Sequence, residues 1–287
     1  YSMIKIQEEF PLFQVIHHPI PRDKEYELKY AKGIVKKTFI RSWYSFLKMQ
    51  SKVAPKMHNI ISPSKSSKND IQKYFHVDAS KIHVIPNGID TGIFKPNLVI
   101  SKKPFKLITT ASADVPLKGL DFTLRAINIA KDKYPLINLV VIGKPRSGGH
   151  TERLISKLGI DEFVSFKTNL TNQEVSDEYA SSQIAIVSSL YEGFGFPVGE
   201  AMACAVPLIA TDVASIPEIT GPYAEMIAPE SHEDIFNSLD NIFQNYDHYM
   251  KKANLGRDHI LQNFSWSVIA NSYIDHISSI LTSHADI

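Results

Sequence analysis

IAIVSSLYEGFGFPVGE, residues 184–200, reads as a strand, a glycine-bearing loop and a helix start in direct succession. Ile184–Val187 is apolar without alternation, as expected for a strand covered on both faces of a parallel sheet. Gly193 and Gly195 let the backbone approach a ligand with no Cβ in the way. Pro197 suits the first turn of a helix, where its missing N–H costs nothing. The start of that helix offers free amides and the positive end of its dipole to an anion. Glu192 lies on the loop and Glu200 is expected in the first helical turn. Carboxylates are poor phosphate ligands but good acceptors for sugar hydroxyls. Two of them bracketing an anion site suit a nucleotide sugar, with hydroxyls at each end and a diphosphate between.

Outward from this stretch, strand and helix signals alternate as in a parallel sheet wrapped by helices. β-type runs recur at Phe105–Ala111, Ile137–Gly143, Phe163–Phe166, Ile184–Ser188 and Pro207–Thr211. Between them, Leu120, Leu124, Ile127 and Ala130 keep a helical period over Leu120–Lys131. Glu174–Ser181 and Pro197–Cys204 read as shorter helices, and three amphipathic segments near Asp234–Gln244, Asp247–Gln262 and Trp266–Leu281 close the chain. This half predicts a complete doubly wound domain. The first hundred residues predict only part of one: strands at Phe13–His17, His58–Ser62 and Ile82–Ile85, with one long basic helix over Gly33–Met57. The turn-rich Pro86–Pro96 separates the halves.

The 287 residues are about 44% hydrophobic and 21% charged, an ordinary globular composition. The net charge of +1 hides an uneven distribution. No Asp or Glu occurs between Leu28 and Asn69, where Lys29, Lys32, Lys36, Lys37, Arg41, Lys48, Lys52, Lys56, Lys65 and Lys68 fall. Two readings stand for that run. One is a plain solvated helix; the other is a contact for an anionic membrane surface or acceptor, since Trp43, Tyr44, Phe46, Leu47 and Met49 sit among the lysines. No nucleic-acid signature is present, so nucleic acid is not expected as a partner. Cys204 is the single cysteine, which excludes an internal disulfide and fits a reducing, cytoplasmic compartment. No apolar run is long enough to span a bilayer.

With these residues in place, the chain resembles the family 4 retaining glycosyltransferases, whose GT-B fold is two Rossmann-like domains. LYEGFGFPVGEAMACAVPLIATD resembles the family's E-x7-E element. The resemblance implies that Glu192 holds the donor sugar and Glu200 the ribose, with Gly193, Phe194 and Gly195 near the sugar and phosphate. PLKGLDFTLRA resembles its phosphate-binding Lys-Gly element and points to Lys118. VIHHPI is similar to its active-site histidine strand and is best matched by His17, with His18 as competitor. VIPNGID at Val84–Asp90 looks like its interdomain segment. ISPSKSSKNDI and FSW also fit. Gly143 and Lys167, at the ends of two strand runs, complete the candidate nucleotide contacts.

Departures from the family pattern are specific. Ser112 stands where an Arg is usual six residues before the Lys. Ala205 stands where Gly is frequent, which reads as a small packing change. The family's first strand and Gly-rich loop have no counterpart, so part of the N-terminal domain is expected to be missing from this chain.

Other chemistries lack their signatures: there is no Gly-x-Ser-x-Gly elbow, Walker loop, His-Glu-x-x-His or Gly-x-Gly-x-x-Gly. No Asp-x-Asp is present, so no metal is expected and the only small-molecule requirement is the nucleotide-diphosphate sugar itself. The expectation is an α/β protein with an incomplete N-terminal Rossmann-like domain over 1–96, linker included. A donor-binding Rossmann-like domain follows over 97–287, its last helix packing back on the first. The function implied is retaining hexosyl transfer to a glycan or lipid-linked acceptor, at the inner face of the membrane in envelope glycan synthesis. The alternative is a non-catalytic nucleotide-sugar-binding module derived from such an enzyme.

Overall fold

The computed structural model of the chain describes residues 2–7 and 9–285. Two compact units form, one from Tyr1–Gly88, Glu192–Phe194 and Trp266–Ile287, the other from Ile89–Tyr191 and Gly195–Ser265.

In the first unit, β1 (Phe13–Val15), β2 (Asn59–Ser62) and β3 (Ile82–Val84) form a parallel sheet in the order β1-β2-β3. β2 is central, and alternation along it sends successive isoleucines to opposite faces. Ile60 packs with Ile71, Phe75 and Ile82 beneath helix Lys65–Phe75. Ile61 packs with Ile85 and with Ile269 of helix Trp266–Ala285. Each fully buried isoleucine contributes roughly 1.5–3 kcal/mol. Helix Lys65–Phe75 starts where the Ser64 side chain accepts the Ser67 N–H, and it ends at His76 in the left-handed conformation.

The long helix expected over Gly33–Met57 is instead broken. It runs as helix Ile34–Trp43, a 3-10 turn at Tyr44–Phe46, helix Leu47–Val53 and a second 3-10 turn at Ala54–Lys56. The buried side of this stretch is continuous across the break. Ile40, Tyr44 and Leu47 all pack in one cluster with Ala31, and the Tyr44 hydroxyl donates to the Glu27 carboxylate at 3.0 Å.

In the second unit, β4 (Lys106–Thr110), β5 (Asn138–Ile142), β6 (Val164–Lys167), β7 (Ile184–Val187), β8 (Leu208–Thr211) and β9 (Glu225–Ile227) pair in parallel in the order β6-β5-β4-β7-β8-β9. Both faces are covered, and Leu107, Leu139, Val141, Ile184, Ile186 and Ile209 share one core with helix Leu120–Lys133 and helix His232–Gln244. β9 was not among the expected strands. It has three residues at the sheet edge with only Ile227 buried, too short a signal to show periodicity.

The chain winds outward from β4 to β6, returns to β7 beside β4, and winds the other way. The carboxyl ends of β4 and β7 therefore flank a switch point, the place where open parallel sheets bind ligands. Residues 89–96, expected to go with the first domain, join the second unit. The Ile89 N–H donates to the Phe264 carbonyl at 2.7 Å, Asp90 Oδ1 accepts from the amides of Gly92 and Ile93, and Phe94 packs against Tyr179.

Candidate active site

Two loops meet at the switch point. After β4 the chain reaches the 3-10 turn Pro116–Lys118 and then Gly119, whose φ of 62° is left-handed. A Cβ there would meet the Ser188 carbonyl at 1.9 Å, so only glycine allows this turn to lie against the end of β7. The Leu190 N–H donates to the Leu117 carbonyl at 2.7 Å. The Ser188 hydroxyl contacts Gly119 O at 3.0 Å and Thr123 Oγ1 at 2.8 Å. Lys118 is thus fixed at its backbone beside the start of the loop after β7.

That loop enters helix Phe196–Ala203 through Gly195, which has φ 99° and ψ 58° at the N-cap. The helix packs so closely that a Cβ on Gly199 would meet Ile89 Cδ1 at 2.5 Å. Glu200 is the fifth residue of the helix and lies just past the first turn, because the helix begins at Phe196 rather than Pro197. Burial pushes its carboxyl up to about 7, and the Tyr179 hydroxyl, donating to it, holds it from rising further. Tyr179 is itself fully buried, and its oxygen lies 3.0 Å from Thr110 Oγ1 at the end of β4. A chain of polar groups therefore runs from the end of β4 through Tyr179 to Glu200. Neither Thr110 nor Tyr179 stands out in the sequence, where each passes as an ordinary strand or helix residue.

The middle of the glycine loop, Glu192–Phe194, belongs to the first unit. Glu192 and Phe194 are buried. The Gly193 carbonyl accepts from Ser64 Oγ at 2.8 Å and Ser67 Oγ at 3.0 Å. A Cβ on Gly193 would lie 2.4 Å from the His17 carbonyl oxygen and 3.3 Å from His18 Nδ1. The glycine is required by the histidine strand as much as by any ligand. His17 presents an exposed side chain, whereas the His18 imidazole is held by Asp23 at 2.6 Å.

The other candidates have roles inside the protein. A Cβ on Gly143 would meet the Ala111 carbonyl at 2.1 Å, so this glycine lets the loop after β4 pass over the end of β5. The Lys167 ammonium pairs with Glu178, which also holds the buried Lys106 at 2.8 Å. Burial raises the Glu178 carboxyl, but these two ammonium groups outweigh it and leave the carboxyl below its usual value. Beyond Ser112, Asp114 accepts from the amides of Arg146 and Thr151, each at 2.8 Å, and ties the loop after β4 to that after β5. Ala205 adopts a left-handed φ of 52°, with its N–H on the Met202 carbonyl and the Val206 N–H on that of Ala201. Its replacement of glycine is a backbone cost rather than the packing change expected.

Residues 93–259, more than half of the chain, match the model of the family described as glycosyl transferases group 1. The chain belongs to the glycosyl transferases group 1 family. Residues 3–92 match the glycosyltransferase family 4 model. Among relatives of this group 1 chain, the MMP alpha-(1->4)-mannosyltransferase of Mycolicibacterium hassiacum is 34% identical over 267 residues. That alignment takes in 91% of this chain, which spans 63% of the length of the relative. Sucrose-phosphate synthase from Thermosynechococcus elongatus superposes with a TM-score of 0.79 at 18% identity, over 97% of this chain and 70% of that one. HepE of Anabaena, solved in complex with UDP and glucose, gives 0.78 at 17% identity, over 97% and 74%. The shared architecture is that of two Rossmann-like domains.

Proposed function

We propose that this chain is the donor-binding part of a retaining glycosyltransferase that moves a hexosyl group from a nucleotide-diphosphate sugar to a glycan or lipid-linked acceptor. One observation carries this reading: the Lys118 turn and the glycine entry to helix Phe196–Ala203 converge on a single switch point. Departure of a nucleoside diphosphate develops negative charge on its phosphates. A lysine and the positive end of a helix dipole placed beforehand stabilise that charge without reorganising during the reaction. Glu200 supplies a carboxylate to the ribose and Glu192 orients the sugar hydroxyls. His17 contacts the donor sugar. His18 is a second reading, favoured by the Asp23 carboxylate that fixes its ring.

No metal takes part in this scheme, since the lysine and the helix start meet the diphosphate and the sequence has no Asp-x-Asp. The donor sugar to try first is mannosyl, because the relative from M. hassiacum is named for mannosyl transfer. The proposed setting is the cytoplasmic face of a membrane, in envelope glycan synthesis, with the basic segment Lys29–Lys68 facing an anionic surface.

A thermal-shift screen of GDP, UDP and ADP with their sugars tests the donor class: one nucleotide series should raise the melting temperature. A flat response to all of them would overturn the proposal. With a donor in hand, Glu192→Gln should keep nucleotide affinity while losing turnover, and NMR of the product should show the anomeric configuration of the donor preserved. Inversion would remove the retaining assignment.

A further inference from the structure

The donor chemistry leaves unused a basic groove on the first unit. Around helices Pro21–Tyr30, Ile34–Trp43 and Leu47–Val53 lies an open groove of about 690 Å3 lined by four cations, Lys24, Arg41, Lys48 and Lys52. The hydroxyls of Thr38, Ser42 and Ser45 line it as well, and no carboxylate does. Arg41 from helix Ile34–Trp43, Ser45 from the 3-10 turn, and Lys48 and Lys52 from helix Leu47–Val53 all face this one groove. None of the four groove cations forms an ion pair among the described residues. The nearby acid Glu27 is engaged by the Tyr44 hydroxyl. Uncompensated cations beside free hydroxyls match a phosphate group, which takes forked donors from arginine and point charges from lysine.

On the same helix, Val35, Phe39 and Trp43 stand four residues apart and therefore on one face. Their exposures are 85%, 68% and 66%, and Ile34 beside them is 83% exposed. Phe39 and Trp43 stack with ring centroids 6.5 Å apart. Large apolar side chains left in water beside a cationic groove are the arrangement of a helix lying at a lipid interface. Stacked rings would also serve the bases of a nucleic acid. The leading pair Ile34 and Val35 is aliphatic, however, and gains nothing from base stacking but much from acyl chains. No helix among the described residues is long and apolar enough to cross a membrane, so the contact is a surface one.

We propose that this face docks on an anionic bilayer, seating lipid phosphates in the groove and burying Val35, Phe39 and Trp43 among the headgroups and upper acyl chains. The inference deepens the anionic-surface reading of this segment and does not depend on the donor reading.

The test is sedimentation of the full chain with phosphatidylcholine vesicles, with and without phosphatidylglycerol, at low and high salt. Binding should require the anionic lipid and fall with salt. The combined change Arg41→Glu, Lys48→Glu and Lys52→Glu should weaken it by more than tenfold. The melting temperature and the nucleotide response should stay as in the unchanged protein, which shows that the variant is folded and separates this result from the donor site. Phe39→Ser with Trp43→Ser should also weaken binding, and vesicles should shift Trp43 emission to the blue, a change absent in Trp43→Phe. Equal binding to neutral vesicles would overturn the proposal, as would no binding or an unaffected charge variant. So would saturation by inorganic or glycerol phosphate that leaves no vesicle preference, or tighter binding to single-stranded RNA.

Discussion

With Glu200 in the proposed ribose role, one proton links the energetics of the fold to nucleotide binding. The Glu200 carboxyl has an ordinary value of 4.5 and is pushed up to about 7 in the folded chain. An acid raised in this way holds its proton more tightly when folded than when unfolded. Stability is therefore unaffected well below 4.5, falls as pH rises from 4.5 towards 7, and stays reduced above that. The full rise corresponds to roughly 3 kcal/mol. Glu200 is half-buried, so solvent reduces the cost to about 1–2 kcal/mol. Glu200→Gln, which keeps a partner for the Tyr179 hydroxyl, should remove this pH dependence and be the more stable protein at pH 8, by about that amount. Urea unfolding of both proteins from pH 5 to pH 8 measures it. Nucleotide affinity should run the opposite way, because the ionised form is the better acceptor for ribose hydroxyls. With a midpoint near 7, the ionised fraction rises from about a tenth at pH 6 to about nine tenths at pH 8, so a nucleotide sugar should bind roughly ninefold more tightly at pH 8. Tyr179→Phe, by removing a donor to the carboxylate, should move both midpoints to higher pH. Parallel stability profiles for the original protein and Glu200→Gln, together with pH-independent affinity, would refute the reasoning.

Other substitutions probe the backbone. Gly193→Ala places a Cβ 2.4 Å from the His17 carbonyl, a backbone atom that cannot swing aside, and should cost about 1–3 kcal/mol. Gly199→Ala meets side-chain atoms alone, Ile89 Cδ1 and Cγ1, and should cost less; denaturant unfolding ranks the two, and equal costs would contradict the account of Gly193. Ala205→Gly relieves a left-handed alanine and should gain about 0.5–1 kcal/mol after the entropy of the new glycine is counted. A loss of stability in that variant would show that the alanine methyl matters more than its backbone.

The strand-and-helix plan of residues 105–211 is visible in the sequence because each strand there is a short apolar run bounded by turns, and burial on both faces leaves no competing pattern. The glycines at 193 and 195 are equally visible. What stays hidden is what they are for. The sequence gives no sign that the His17 carbonyl and the hydroxyls of Ser64 and Ser67 press on Gly193, since those residues lie more than a hundred positions away. The break at Tyr44 is hidden because the local pattern is helical throughout, and the contacts of Tyr44 with Glu27 and Ala31 come from an earlier segment. The elevated Glu200 carboxyl comes from burial by the fold, and the Tyr179 hydroxyl that limits the rise belongs to a helix that carries no motif. The basic run was conspicuous as composition, but only folding brings Lys24 to Arg41, Lys48 and Lys52. Lys68, from the same run, is spent on the Ile82 carbonyl at 2.7 Å.

The central claim, that the switch point between β4 and β7 receives a nucleoside diphosphate, is tested most directly by calorimetric titration of Lys118→Ala against the unchanged protein, with a nucleoside diphosphate and with its nucleoside. The account predicts a single site in which the substitution weakens the diphosphate at least tenfold and leaves the nucleoside nearly unaffected. Equal losses for the two ligands, or no loss for either, would contradict it.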